Sequence, residues 1–245
     1  GSRQAQLFSL NLALAQDERF VNVGTRTQQN WYLRALMPEA AFVRPAVHRN
    51  PIRPSGDEYI GLTMLDIVES LGDELDSIEG AHVGNGPDIS FEVSFPHLYA
   101  GTMPASRALL SLFSYEQGQH LQVKLIDGRN GRSFSGWLLP EEGYVAGLGD
   151  WYKQVGMVVG GLVTVSAGDE PASLKLGITV PRSSSSGWVR QASVVNGALV
   201  IQMQLGRIAV RHDPATLIDV ADQNAIAGLM LQTQQSNRSL YSLIK

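Results

Sequence analysis

The strongest constraint on the fold lies in residues 88–180, where short alternating apolar and polar segments are separated by turns rich in glycine. In "DISFEVSF", every second residue is apolar and falls on one side of a strand. "HLQVKLID" alternates in the same way, and the following "GRNG" predicts a hairpin turn. Two short helical segments interrupt the series. The pattern predicts a mostly β (α+β) fold, a seven-stranded open pseudobarrel with short helices at its ends.

The stretch "GWLLPEEGYVAGLGDWYKQVGMVVGGLVTV", residues 136–165, shows how such a barrel would turn a corner. A strand ends in an acidic turn, and a short helix follows with Trp151 and Tyr152 turned inward to seal the barrel. Gly156 is expected to end this helix, because glycine tolerates the left-handed conformation at a helix C-terminus. A pair of glycines then permits the tight turn into the next strand.

The first unit, residues 3–56, is predicted to contain a helix, a hairpin and a proline-rich linker. "LFSLNLALAQDE" fits either a helix, with leucines at three- and four-residue steps, or an alternating strand, and its alanines favour the helix. "RFVNVGTRTQQNWYL" predicts a hairpin that turns at "GTRTQQ". Four prolines between residues 38 and 54 predict an extended linker rather than a helix.

Residues 57–86 predict an acidic amphipathic linker helix between this unit and the pseudobarrel, residues 87–182. Residues 57–88 contain nine acidic residues and no basic one, whereas residues 1–56 contain seven Arg and three acids. The net charge of −4 therefore conceals neighbouring segments of opposite charge. Residues 187–245 predict a further hairpin and a C-terminal amphipathic helix.

The composition excludes several kinds of chemistry. The chain has no cysteine, which excludes disulfides, thiolate metal sites and a cysteine nucleophile, and a cytoplasmic location is the expectation. Its five histidines lack metal-ligand spacing, and no phosphate-binding loop or nucleophile elbow occurs. Its apolar runs are too short and too often broken by glycine to span a bilayer. We therefore expect no catalytic residue, no metal, no cofactor and no membrane partner.

The order of elements in residues 88–180 resembles the plant-type pseudobarrel DNA-binding domain known as the B-three domain. Relatives of this family include the DNA-reading domains of some bacterial restriction enzymes. The resemblance rests on the spacing of "SFEVSFPHLYAGTMPASRALLSLF" and on the corner at residues 136–165. The N-terminal helix and hairpin also resemble the end of a winged-helix domain, with the hairpin as the wing. In that case the first helices of the winged-helix domain would precede residue 1.

The B-three resemblance implies that DNA lies in a saddle between two arms that enter the major groove. One arm would be the loop "PHLYAGT", and the other "WLLPEEGY", where Glu141 and Glu142 depart from the neutral or basic residues expected opposite phosphate. The residues of the first arm that could contact phosphates or bases are His97, Tyr99, Thr102 and Arg107.

Further basic residues near the implied saddle are Lys124, Arg129, Arg132 and Lys153. Arg129 and Arg132 flank a hairpin tip, where they could meet phosphate or simply be solvated turn residues. Trp137, Trp151 and Trp188 are expected to fill the core.

These features favour a non-catalytic, double-stranded DNA-binding module of a larger bacterial protein. A protein–protein interaction or scaffold domain is the alternative, because the acidic helix would repel phosphate or could cover a basic surface of its own chain. A degenerate metal-dependent nuclease is a third possibility. "PDISF" followed by "QVK" loosely resembles such a core, but Gln122 stands where a second carboxylate would bind magnesium.

Overall fold

A computed structural model describes residues 3–48, 89–179, 186–207, 218–220 and 222–236. Within these residues the protein is mostly β, with a nearly closed seven-stranded mixed sheet and a few short helices. None of the helices in the described part of the chain has the length and apolar character needed to cross a membrane. The predicted acidic helix, residues 57–86, lies outside the described residues.

The helices and strands alternate along the chain in short elements. They are α1 (Arg3–Gln16), β1 (Phe20–Asn22), β2 (Trp31–Leu33), β3 (Ile89–Glu92), α2 (Phe95–Ala100), β4 (Thr102–Pro104), α3 (Arg107–Leu110), β5 (Leu121–Asp127), β6 (Ser133–Leu139), β7 (Tyr144–Ala146), α4 (Gly149–Val155), β8 (Leu162–Ala167), β9 (Ser173–Thr179), β10 (Ser186–Val195), β11 (Ala198–Arg207), β12 (Ile218–Val220) and α5 (Gln223–Gln235). Short 3-10 turns lie at Arg34–Leu36, Glu39–Ala41 and Ala46–His48.

The seven-stranded sheet has the order β3-β8-β9-β5-β6-β7-β4, which confirms the predicted pseudobarrel. All neighbouring strands are antiparallel except β5 and β9, which are parallel. Side chains alternate along each strand, so one set of apolar residues faces the interior. On β5 this set is Leu121, Val123 and Leu125, all fully buried.

Helix α4 contributes to the core as the sequence predicted. Trp151 and Tyr152 are buried in the main hydrophobic cluster, and the Tyr152 hydroxyl donates a hydrogen bond to the Thr102 carbonyl oxygen at 2.8 Å. Gly156 ends the helix with φ of 64°, the left-handed conformation expected of it. Because Tyr152 meets its hydrogen-bonding need inside the barrel, its burial leaves no unpaired hydroxyl.

The predicted N-terminal helix and hairpin are both present as α1 and β1–β2. The prediction of an extended linker was wrong for residues 38–48, which form two 3-10 turns and bury Ala41 and Val47. Proline lacks an N–H but keeps its carbonyl acceptor. The carbonyls of Pro38 and Pro45 accept the closing hydrogen bonds, at 2.9 Å each, so each turn begins at a proline.

The segment after β3, predicted as an arm loop, is helix α2 instead. Pro96 lies in its first turn, where a missing N–H costs no helical hydrogen bond, and Gly101 ends it in the left-handed conformation with φ of 64°. Phe95 at its start is fully buried against residues of β10, β11 and α5. A helix thus connects the two edge strands β3 and β4.

The C-terminal hairpin β10–β11 and helix α5 agree with the prediction, whereas β12, which pairs parallel with β10, was not predicted. The expectation that Trp188 is a core residue was wrong, because its side chain is 61% exposed. Its partner in the hairpin register, Leu205, is 67% exposed. Among the hairpin residues whose exposure the structure describes, Ala192 and Leu199 are buried, at the other end of the hairpin, where α5 packs.

Buried polar contacts hold residues 46–48 to the barrel. His48 Nε2 lies 3.1 Å from Thr102 Oγ1, which lies 2.8 Å from His97 Nδ1. The His48 ring also contacts the Tyr144 ring edge to face, with centroids 5.0 Å apart. Burial, together with the neighbouring His97 and Arg44, lowers the pKa of His48 to about 3.

His48 should make the protein less stable in mild acid. An unfolded histidine takes up a proton below about pH 6.5, whereas folded His48 stays neutral to about pH 3, so stability falls as the pH drops through this window. The contribution approaches about 1.4 kcal/mol per pH unit. Urea unfolding of the wild type and His48→Gln at several pH values should show a shallower pH dependence in the variant. His120→Gln, at a half-buried histidine, is the control, and equal slopes in all three proteins would contradict the prediction.

Candidate nucleic-acid interface

The first arm implied by the sequence is largely inaccessible. His97 and Thr102 are fully buried and contact each other, so they cannot reach DNA in this structure and we remove them from the interface. Tyr99 is 41% exposed, but its hydroxyl lies 3.4 Å from Asn224 Oδ1 on α5. Arg107 is exposed at the start of α3. Residues 46–48 and helix α5 therefore both contact the arm.

The second arm is also engaged within the chain. Glu141 Oε1 accepts a hydrogen bond from the Gly118 N–H at 2.8 Å, and Glu142 lies 3.5 Å from the Arg44 guanidinium. These contacts explain why acidic residues occupy positions where the resemblance implies neutral or basic ones. Each carboxylate has a positively charged or N–H partner within the protein. Neither carboxylate therefore needs a DNA base as its partner.

An open polar surface lies on the outward face of the β5–β6 hairpin. The antiparallel register pairs Gln122 with Trp137, Lys124 with Ser135 and Ile126 with Ser133, and these pairs point away from the barrel core. Since consecutive residues of a strand point to opposite faces, the same two strands supply core residues on one side and this surface on the other.

The N-terminal hairpin covers one end of this outward face. The Tyr32 ring contacts the Trp137 ring edge to face, with centroids 5.4 Å apart, and Trp137 is only 4% exposed, as expected of a core residue. The Gln122 N–H donates to the Val23 carbonyl at 2.8 Å, which joins the hairpin to β5. At Gly24, a Cβ atom would lie 2.1 Å from the Gln28 carbonyl oxygen, so the turn requires glycine.

Between this turn and the uncovered part of β5–β6 lies a cleft of about 540 Å³, which we name the ribbon cleft. Its lining has no Asp or Glu and consists of Gly24, Thr25, Gln28, Gln29, Asn30, Gln122, Val123, Lys124, Ser133, Phe134, Ser135, Pro171 and Ala172. A second cleft of about 310 Å³ shares residues 133–135 with it and includes Arg132. The two clefts thus meet along β6.

The four basic residues predicted near the saddle differ in their partners. Lys124 lies 2.8 Å from Glu170, and both side chains are substantially exposed. Arg129 is bound to Asp127 at 2.7 Å, and on α4 the exposed side chain of Lys153 lies 3.8 Å from that of Asp150. Arg132 is exposed at the hairpin tip and has no ion-pair partner among the described residues. Lys124 and Arg132 are therefore the two that line the clefts.

Asp127 organises the hairpin tip that carries Arg129 and Arg132. Its buried carboxylate accepts hydrogen bonds from the Arg129 N–H at 2.9 Å and from the guanidinium at 3.0 and 2.7 Å. The hydrogen-bonded Arg129 holds the pKa of Asp127 well below its usual range. The Arg129 guanidinium is therefore already engaged by Asp127 and is less available than Arg132 to contact a phosphate.

No group of three or more His, Asp or Glu side chains in the described ranges is placed to hold a metal ion. Of the residues considered for a nuclease, Asp88 lies outside those ranges, and Lys124 pairs with Glu170. No protein-family model matches the chain, and no curated protein matches it significantly in sequence. The structure itself defines the protein as a mostly β, α+β pseudobarrel with an N-terminal hairpin packed on one face.

Replacing Asp127 should loosen the hairpin tip. Asp127→Asn removes the charged acceptor of three hydrogen bonds, and we expect a loss of about 2 kcal/mol in the free energy of unfolding. Asp150→Asn is the matched control, because this carboxylate is almost fully exposed and should change stability by less than about 0.5 kcal/mol. Urea unfolding at neutral pH measures both. Equal effects of the two substitutions would show that Asp127 has no special structural role.

Proposed function

We propose that the protein is a non-catalytic, double-stranded DNA-binding module, a cytoplasmic part of a larger bacterial protein. The observation that carries the proposal is the ribbon cleft, which is lined by neutral hydrogen-bonding side chains and by Lys124, the partner of Glu170. A lining of this kind can approach the negatively charged backbone and bind base edges through neutral donors and acceptors. The proposed contact surface is the cleft with the adjoining hairpin tip, rather than the two covered arms.

In this proposal the tip of the β5–β6 hairpin enters the major groove, while β9 and β7 flank the rest of its two strands. The major groove of B-DNA is about 12 Å wide and admits a two-stranded β ribbon. With the outward face in the groove, Lys124 and Arg132 would contact phosphates while the amide and hydroxyl groups face the bases. Lys124, now paired with Glu170, would exchange this partner for a phosphate. The pseudobarrel architecture is compatible with a DNA-binding role and specifies no contact.

A protein–protein interaction or scaffold domain remains the second candidate, and two observations favour it. Residues 89–179 contain eight acidic and six basic residues, so the barrel has no excess of positive charge to attract DNA. The C-terminal hairpin exposes Trp188 and Met203, residue types that are enriched at protein interfaces, together with the apolar side chain of Leu205.

DNA binding should depend on the two basic residues of the clefts. A randomised pool of short duplexes, titrated over salt, measures affinity and its salt dependence for the wild type and for Lys124→Ala combined with Arg132→Ala. We expect the double variant to bind about 10-fold or more weakly, with a log–log salt slope reduced by about 2, because two phosphate contacts are lost.

The matched control combines Arg3→Ala with Arg107→Ala. It changes the charge equally at exposed positions away from the ribbon cleft, and Arg107 belongs to the originally predicted arm. The control should retain most of the affinity. A greater loss in the control than in the cleft variant would place the interface at the arm, and no binding by the folded wild type at low salt would favour the interaction domain.

A further inference from the structure

Two carboxamides meet at the ribbon cleft, one from the N-terminal hairpin and one from the barrel. Asn30 Nδ2 donates a hydrogen bond to Gln122 Oε1 at 3.2 Å. Asn30 is exposed and Gln122 half-buried. A carboxamide has one acceptor oxygen and one donor nitrogen. The contact therefore engages Asn30 Nδ2 and Gln122 Oε1 and does not use the acceptor Asn30 Oδ1 or the donor Gln122 Nε2.

Hydrogen bonds of the backbone fix the relative position of the two chain segments that carry these side chains. The Val23 N–H donates to the Asn30 carbonyl, and the Val23 carbonyl accepts from the Gln122 N–H, each at 2.8 Å. Asn22 Oδ1 accepts from the Asn30 N–H at 3.1 Å. Gln119 Nε2 donates to the Gly24 carbonyl at 2.7 Å. Pre-organisation of this kind lowers the entropic cost of binding a ligand.

The free acceptor and donor of the pair match one base. In the major groove, adenine presents the N6 amino donor beside the N7 acceptor, so Asn30 Oδ1 can accept from N6 while Gln122 Nε2 donates to N7. Guanine presents two acceptors, O6 and N7, and would oppose the Asn30 oxygen. Thymine and cytosine each offer a single polar group in the groove. A site that offers one acceptor and one donor in this order would therefore prefer adenine.

We propose that Asn30 and Gln122 together form an adenine-reading site in the major groove. This inference rests on the proposed DNA-binding function and deepens it, because it names the base that the cleft selects. Lys124 lies two residues beyond Gln122 on the same outward face of β5, about 7 Å along the strand. At that distance its ammonium can bind the backbone while the amide pair contacts the base.

Selection from the randomised duplex pool tests the site with two substitutions. In Gln122→Ala the donor to N7 is lost, and enrichment of adenine at one position should fall about 10-fold. In Asn30→Asp the hairpin side offers only acceptors, and preference should move from adenine toward cytosine, whose N4 amino group is a donor. Gln154→Ala is the control, because this carboxamide lines the second cleft and not the ribbon cleft.

A modified duplex tests the same contact without changing the protein. The selected sequence is prepared with 7-deazaadenine at the selected position, which removes the N7 acceptor and keeps the N6 donor. Wild-type affinity for it should fall about 10-fold, while Gln122→Ala should bind both duplexes equally. The wild-type comparison of the two duplexes remains informative if either substitution prevents folding. Thermal unfolding of each variant detects a folding defect.

The outcomes separate this inference from the function on which it rests. If the folded wild type binds no duplex, DNA binding and the adenine site are both overturned. If the wild type selects a motif, but both variants select the same motif and 7-deazaadenine has no effect, only the adenine site is overturned. Loss of adenine selection in both variants, with Gln154→Ala unchanged, supports the site.

Discussion

The two-sidedness of the β5–β6 hairpin is the constraint on which the rest of this structure depends. Leu121, Val123 and Leu125 fill the barrel interior, and the residues between them form the open outer surface. A shift of register by one residue would exchange these two sets. The seven-stranded core and the candidate interface are therefore consequences of one alternation, and neither can change without affecting the other.

The two regions flanking the barrel have different effects on its surface. The N-terminal hairpin covers Trp137 and stops short of Lys124, which creates the ribbon cleft. The C-terminal hairpin and α5 bury Phe95 just before the first implied arm, α5 contacts Tyr99, and His48 contacts buried Thr102 within the arm. Burying a side chain as large as phenylalanine contributes about 2 kcal/mol or more, so exposing the arm would be costly. The accessible polar surface is consequently the one beside β5 and β6.

Sequence patterns predicted correctly those features that are decided by residues close together in the chain. The strands of the barrel followed from alternation, and the end of α4 followed from the glycine at 156, because only neighbouring residues decide these features. The prediction for "PHLYAGT" was wrong because the fold family suggested a loop, although Pro96 and Gly101 carry the signals of a helix start and end. Those signals were present in the sequence and outweighed by the resemblance.

The candidate site could be predicted only in part. Lys124 and Arg132 were found because exposed bases near a hairpin tip are visible in the sequence, but the burial of His97 and Thr102 depends on His48, which is distant in the chain. The pairing of Asn30 with Gln122 likewise joins residues 92 positions apart. No local pattern marks such a contact, because it is set by how the hairpin packs on the barrel.

The sequence by itself determined that this chain forms short strands and short helices, that one face of each strand is apolar, and that thiol chemistry is absent. These properties follow from residue type and spacing along the chain. Only the tertiary structure decided which polar residues are exposed, which arms are covered and which side chains meet at the cleft. Exposure and proximity depend on packing between segments far apart in the chain, and packing is a property of the assembled fold.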